Sequence, residues 1–166
     1  MKRIGLLSDT HSFLHEKVFD FFRDCHEVWH AGDIGDSETA GRLHDFKPLR
    51  AVYGNIDGGL LRQEYREHLL FYCEQVKVFM IHIGGSPGRY NPGARQIILR
   101  EKPGLVIAGH SHILMVKYDH KYGHLYINPG AAGKSGFHRN ITFLKFIIDG
   151  DQIRDLLVMD IPGERG

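Results

Sequence analysis

The chain is poor in everything that would staple it, anchor it in a membrane or give it a strong charge. Its 166 residues include two cysteines, Cys25 and Cys73, which stand outside any Cys-x-x-Cys pair. Neither a disulfide framework nor a thiolate metal site is expected, and both thiols are read as buried apolar filler. No apolar run exceeds the five residues from Leu69 to Cys73, too few to cross a bilayer. The opening Met-Lys-Arg-Ile-Gly-Leu-Leu-Ser-Asp turns polar too soon for a signal-peptide core, so a cytoplasmic protein with no membrane partner is expected. Lysine plus arginine (21) nearly cancels aspartate plus glutamate (20), leaving a net charge of +1. Such a chain has no general field to gather nucleic acid, and any affinity for phosphate must be local. Charge blocks, internal repeats and linker-like stretches are missing as well. With 42% hydrophobic and 25% charged residues, the expectation is one folded domain over residues 1–166.

What the chain does have is 12 histidines and 20 glycines, and their placement carries the information. Lys2 to Ser8 is an apolar run that ends in Asp-Thr-His. Leu14, Val18, Phe21 and Phe22 then recur at helical spacing within Leu14 to Asp24. Glu27 to His30 and Leu49 to Tyr53 are further short strands, with a weaker helix over Ser37 to Phe46 between them. This βαβαβ opening favours parallel pairing. The second half reads as strands at Leu69 to Tyr72, Val76 to His82, Leu105 to Ala108, Ile113 to Asp119, Leu125 to Asn128, Ile141 to Asp149 and Gln152 to Met159. A single helix is expected there, over Ala94 to Arg100, and Asp149-Gly150 followed by Asp151 signals a hairpin. An α/β (α+β) fold follows, a two-layer β-sandwich of mixed sheets flanked by helices.

Polar clusters stand where the strands end: Asp9-Thr-His11, Gly32-Asp33-Ile-Gly-Asp36, Gly54-Asn55-Ile-Asp57, His82-Ile-Gly84 and Gly109-His110-Ser-His112. In sheets of this kind ligands bind beyond the carboxyl ends of the strands. Residues two apart in an extended segment share a side, so Asp9 with His11, and His110 with His112, are expected to converge as pairs. Taken singly, each cluster has an ordinary structural explanation. Asp36 or Ser37 suits a helix cap, Gly-Asn and Gly58-Gly59 suit turns, and a lone His82 suits a hydrogen-bonded core position. Five such clusters in succession are different, because turns need no imidazoles and a core does not gather this many desolvated polar groups. Metal binding is the reading that accounts for them jointly.

In that order, Asp-x-His, Gly-Asp-x-x-Asp, Gly-Asn-x-Asp, His-x-Gly and Gly-His-x-His resemble the motifs of the calcineurin-like metallophosphoesterase superfamily, and the short chain resembles its YfcE-type small phosphodiesterases. The resemblance implies a β-sandwich holding two metal ions. One would be bound by Asp9, His11, Asp33 and His112, the other by Asp33, Asn55, His82 and His110, with Asp33 shared. It makes Asp33, Asn55 and His110 the residues expected to act in catalysis on a small phosphoester. Imidazole, carboxylate and amide donors without thiolate suit Mn, Fe, Co, Ni or Zn better than Ca or Mg, with Mn and Zn foremost. A shared carboxylate would set the ions about 3.5 to 4 Å apart, close enough to share the attacking hydroxide.

The pattern departs from the family at several points. Ile56 stands where many relatives have a histidine that helps the leaving group depart. Ile83 follows His82 in place of a small residue, and Gly85 stands where some relatives have another histidine. Asn128-Pro-Gly130 is followed by Ala131 where serine is frequent, so that loop is given no catalytic role. Asp57 reads equally as a residue orienting a ligand or as one shaping its turn. Arg89, Tyr90 and Arg95 read as an exposed basic loop able to reach phosphate or a base, and the eight histidines outside the motifs are left to surface or core. The competing expectations are a phosphomonoesterase of the same fold and a noncatalytic metal-binding scaffold, with self-association left open.

Overall fold

The computed structural model describes residues 1–163. The chain begins β1 (Lys2–Leu7), α1 (Lys17–Phe21), β2 (Glu27–His30), α2 (Ser37–Phe46), β3 (Leu49–Ala51) and α3 (Gly59–Glu64). It continues β4 (His68–Cys73), β5 (Val76–Ile81), α4 (Pro92–Glu101), β6 (Leu105–Ile107), β7 (Leu114–Asp119), β8 (His124–Pro129), β9 (Asn140–Asp149) and β10 (Gln152–Pro162). Two five-stranded sheets result, in the orders β10-β9-β1-β2-β3 and β4-β5-β6-β8-β7. Within the first, β1, β2 and β3 run parallel while β9 and β10 are antiparallel additions. In the second, β5, β6 and β8 are parallel and β4 and β7 flank them antiparallel. The expected sandwich of mixed sheets is present.

The central strands read as near-continuous apolar runs because both of their faces are covered. Along β9, Leu144, Phe146 and Ile148 point into the layer between the sheets, where they meet Trp29, Val78, Met80 and Ile107. Ile141 and Phe143 lie on the other face, against Leu14, Val18 and Phe22. In β5 the same alternation sends Val78 and Met80 inward and Phe79 and Ile81 out beneath Ala94 and Ile98 of α4. At about 25 cal/mol per Å² of apolar surface removed from water, each large buried side chain contributes roughly 1.5 to 3 kcal/mol.

Two helices depart from expectation. The first is confined to Lys17–Phe21, although Leu14 and Phe22 are buried as the spacing required. The residues ahead of it are held in a loop by Ser12 donating to the Ile34 carbonyl and Phe13 to that of Thr10. Helix α3 was not expected, since Gly58-Gly59 reads as a turn and its six residues bury only Leu61, giving no periodic signal. Strand β10 runs on to Pro162, a residue tolerated at the end of an edge strand. The Gly150 turn joins β9 to β10 as anticipated, with φ of 61°. No helix of the described residues is long and apolar enough to cross a membrane.

The carboxyl ends of β1, β2 and β3 and those of β5 and β6 open at one edge of the sandwich. Backbone hydrogen bonds tie these ends together: Asp9 donates to the Gly32 carbonyl, His11 to that of Asp33, and Gly109 to that of His82.

Candidate metal centre

All seven candidate ligands meet at this edge. Asp9 Oδ1 lies 3.2 Å from His112 Nε2 and 3.9 Å from His11 Nε2. Asp33 Oδ2 lies 3.4 Å from His11 Nε2 and 3.2 Å from His82 Nε2. Asn55 Oδ1 stands 3.1 Å from both His82 Nε2 and His110 Nδ1. Two clusters with metal-ligand spacing emerge, Asp9 with His11 and His112, and Asp33 with His82 and His110. Asp33 also faces His11 of the first cluster, the position a shared carboxylate requires.

The way these residues converge differs from the expected alternation of extended chain. Asp9, His11, Asp33, His110 and His112 all have positive φ, between 46° and 70°, a region uncommon for residues other than glycine and typical of strained functional loops. Asp9 and His11 do fall in one cluster as expected, but His110 and His112 do not, since each belongs to a different cluster. Glycines let the loops close in: a methyl group on Gly109 would sit 2.9 Å from Asp9 Oδ2, and one on Gly54 would overlap Asp33 Oδ1.

The donor set fits divalent cations. Asp9 Oδ1 and His11 Nε2 are buried with no hydrogen-bond partner, a costly state unless something positive satisfies them. His82 Nδ1 is 2.8 Å from the Ala31 carbonyl, so the proton sits there and the Nε2 lone pair faces Asp33 and Asn55, two further acceptors. Without a cation the cluster recruits protons instead. Burial works against a charged His82, but the hydrogen bond to Asp33 and the charges of Asp9 and Asp33 outweigh it and raise its pKa. For Asp9 burial is likewise overcome, by His112, His82 and the Ser8 hydroxyl, and its pKa is lowered. Asp33 is lowered too, by His82 and the Ile56 amide acting against burial.

Of the residues that support the ligands, the sequence singled out Asp57 and Asp36 but not His138. Asp57 touches no candidate ligand side chain; its carboxylate accepts from the amides of Ile34, Gly35 and Gly54 at 2.9 to 3.0 Å, clamping the Asp33 loop to the Asn55 loop. Asp36 caps α2 by accepting from the Thr39 amide. His138, left among the unassigned histidines, lies with Nδ1 2.9 Å from His112 Nδ1 and Nε2 2.7 Å from the Gly133 carbonyl. When His112 presents Nε2 to a cation, its Nδ1–H donates to His138, whose own proton then goes to Gly133. Such outer partners orient ligands and typically change metal affinity about 10- to 100-fold. His138→Ala is accordingly expected to weaken metal binding by that factor while near-normal activity returns at saturating metal. Metal titration of the chelated variant checks this, and an unchanged midpoint would contradict it.

His30, fully buried at the end of β2, accepts from the Gly32 amide and pairs with the Thr10 hydroxyl. Burial pushes its pKa down to about 4 from 6.5. Below pH 6.5 the unfolded chain takes up a proton that the folded chain refuses, so stability from this group is full above that pH and is lost as pH falls toward 4. A shift of this size is worth roughly 3 kcal/mol. In metal-free protein His82, with its raised pKa, acts in the opposite sense, being most stabilising when acid. The comparison with His30→Gln therefore isolates His30: the variant should be less stable than wild type at pH 7.5, with the gap narrowing by pH 4.5 in urea unfolding. A constant gap would contradict the assignment.

Comparison with known proteins gives the family and the fold. Residues 1–151 match the calcineurin-like phosphoesterase superfamily domain. A probable metallophosphoesterase of Methanothermobacter thermautotrophicus is 33% identical over 114 residues, 66% of this chain and 66% of that protein. The match thus spans about two thirds of that relative's length. Among solved structures, a protein characterised as a novel archaeal phosphodiesterase shares the fold with a TM-score of 0.74 and 21% identity, over 95% of this chain and 99% of that one. Wild-type Vps29 of Entamoeba histolytica, complexed with zinc, gives 0.74 at 17% identity over 96% and 98%. At these identities the two structures attest the fold alone.

Proposed function

Because the chain belongs to the calcineurin-like phosphoesterase superfamily, we propose that it hydrolyses phosphodiesters with two divalent cations, Mn or Zn foremost, held by Asp9, His11, Asp33, Asn55, His82, His110 and His112. The observation that carries this reading is the convergence of carboxylate, imidazole and amide donor atoms from five loops on two adjoining clusters with Asp33 facing both. When bound, the cations supply Lewis acidity toward a phosphoryl oxygen and make water at the site a nucleophile near neutral pH.

The chain's own groups do the positioning. Asn55 turns Oδ1 toward His82 and His110, which leaves its amide protons to donate to an anionic oxygen. His110 is exposed and lines a cleft of about 340 Å³ with Ser111, Arg89 and Asn128. Asn55 and His82 line a second cleft, of about 280 Å³, with Tyr53 and Arg62. Ile83 borders both. Two clefts, one beside His110 and one beside Asn55 and His82, give room for two ester substituents, which favours a diester over a monoester.

Ile56 is 47% exposed at the rim, and its amide donates to Asp33 Oδ1 at 3.0 Å. Its side chain donates no proton, and positioned general acids contribute about 10²- to 10⁴-fold to such steps. The protein should therefore favour good leaving groups. In parallel assays of metal-loaded protein, bis(p-nitrophenyl) phosphate is expected to outpace p-nitrophenyl phosphate and alkyl monoesters. Ile56→His should raise the monoester-to-diester ratio by about tenfold or more. Alkyl monoesters turned over as fast as the nitrophenyl diester would favour a phosphomonoesterase instead, and no turnover of any ester would favour a scaffold.

A further inference from the structure

Beyond the metal centre, a cleft of about 350 Å³ opens between the loop at 87–90, the start of α4, and the end of β7 with the turn after it. Four cations line it: Arg89, Arg95, Lys117 and Lys121. All four are exposed, and none forms an ion pair among the described residues. Seven of the chain's other cations, Arg3, Arg23, Arg50, Lys77, Arg100, Lys145 and Arg154, have a carboxylate partner. In a chain with a net charge of +1, this is uncompensated positive charge concentrated in one concave place, the local affinity for anions that overall composition does not supply.

The lining is built rather than incidental. Asp119, its one carboxylate, is buried and already engaged: it accepts from the Tyr90 hydroxyl at 2.9 Å and from the Lys121 and Tyr122 amides at 3.0 and 3.3 Å. His124, itself buried, lies 2.7 Å from the same hydroxyl. This network pins Tyr90, and with it the backbone of the 87–90 loop that carries Arg89, to β7 and β8. Tyr118 and His120, both exposed, meet edge to face at 4.9 Å, offering an aromatic surface beside the cations. Arg89 lines the cleft that contains His110 as well, so the two clefts adjoin through one guanidinium.

We propose that this cleft binds the nucleotide end of an extended phosphodiester substrate. Its cations hold a phosphate remote from the scissile one, and Tyr118 with His120 receives the base, as aromatic rings do in single-strand recognition. The assignment rests on the phosphodiesterase reading for what happens to the ligand, but not for the binding itself.

ADP serves as the probe, with the double variant Arg95→Glu/Lys117→Glu, which removes two cations remote from the metal clusters. In chelated protein no cation is left at the metal centre to hold phosphate, so ADP binding followed by calorimetry and compared with the double variant reports this cleft. Saturable binding is expected, weakening with added salt and at least tenfold poorer in the double variant. With metal restored, the variant should show a KM raised at least tenfold for a 5′-phosphorylated dinucleotide while its rate on bis(p-nitrophenyl) phosphate stays unchanged. Absent ADP binding, or equal binding by wild type and variant, overturns the proposal even where the aryl diester is hydrolysed. Should ADP bind as expected while no phosphoester is hydrolysed, the cleft stands as a nucleotide site and the phosphodiesterase reading falls.

Discussion

Asp33→Asn is expected to lower metal content from about two ions per chain to one or fewer, and phosphodiester hydrolysis on the order of 10³-fold. The substitution keeps the shape of the side chain and an oxygen able to accept the Ile56 amide, so the loop should survive. It removes the negative charge that faces His11 of one cluster and His82 of the other at 3.4 and 3.2 Å, closer to both than Asp9 Oδ1, which stands 3.9 and 3.8 Å away. Metal content by elemental analysis, read beside an unchanged thermal midpoint of the chelated protein, separates this from misfolding. Full occupancy with full turnover would show that Asp33 is not shared.

A smaller but still large loss is expected from Gly54→Ala, at a residue with no donor side chain. The added methyl would overlap both Asp33 Oδ1 and the Asp33 amide nitrogen. The backbone φ at Gly54 is not among the positive values, so the penalty is steric and falls on the carboxylate. Overpacking of this kind typically costs about 1 to 3 kcal/mol, and here the relief available is to displace the loop that carries Asp33. Activity should fall on the order of 10²-fold with metal binding weakened in step. Gly41→Ala, in α2 with nothing within 4 Å of the new methyl, is the control and should stabilise the protein by about 0.5 to 1 kcal/mol. A Gly54→Ala protein with wild-type metal affinity would mean that the loops have slack the structure does not show.

The candidate ligands were legible because each follows a strand, and strands buried on both faces announce themselves as apolar runs that stop abruptly at Asp, Asn, His or Gly. Helix α2 was legible from its Asp36 cap and its apolar face. Local rules gave the wrong account of how Asp9 approaches His11, because strand alternation ends at Leu7 and left-handed turns take over. What the sequence hid was of two kinds. Short α3 lacks a periodic face, and the partners that act at a distance carry no spacing signature: His138 meets His112 across 26 positions, and Tyr90 meets Asp119 and His124 across 29 and 34. Asp57 was visible within its Gly-Asn-x-Asp motif, and only the fold shows that its carboxylate serves three backbone amides of two loops.

The most direct test of the account is a titration of chelated wild-type protein with manganese, following hydrolysis of bis(p-nitrophenyl) phosphate at neutral pH. Two clusters that share Asp33 predict that activity rises with added metal and saturates at about two equivalents per chain. Saturation at one equivalent, or no hydrolysis at any metal concentration, would contradict it.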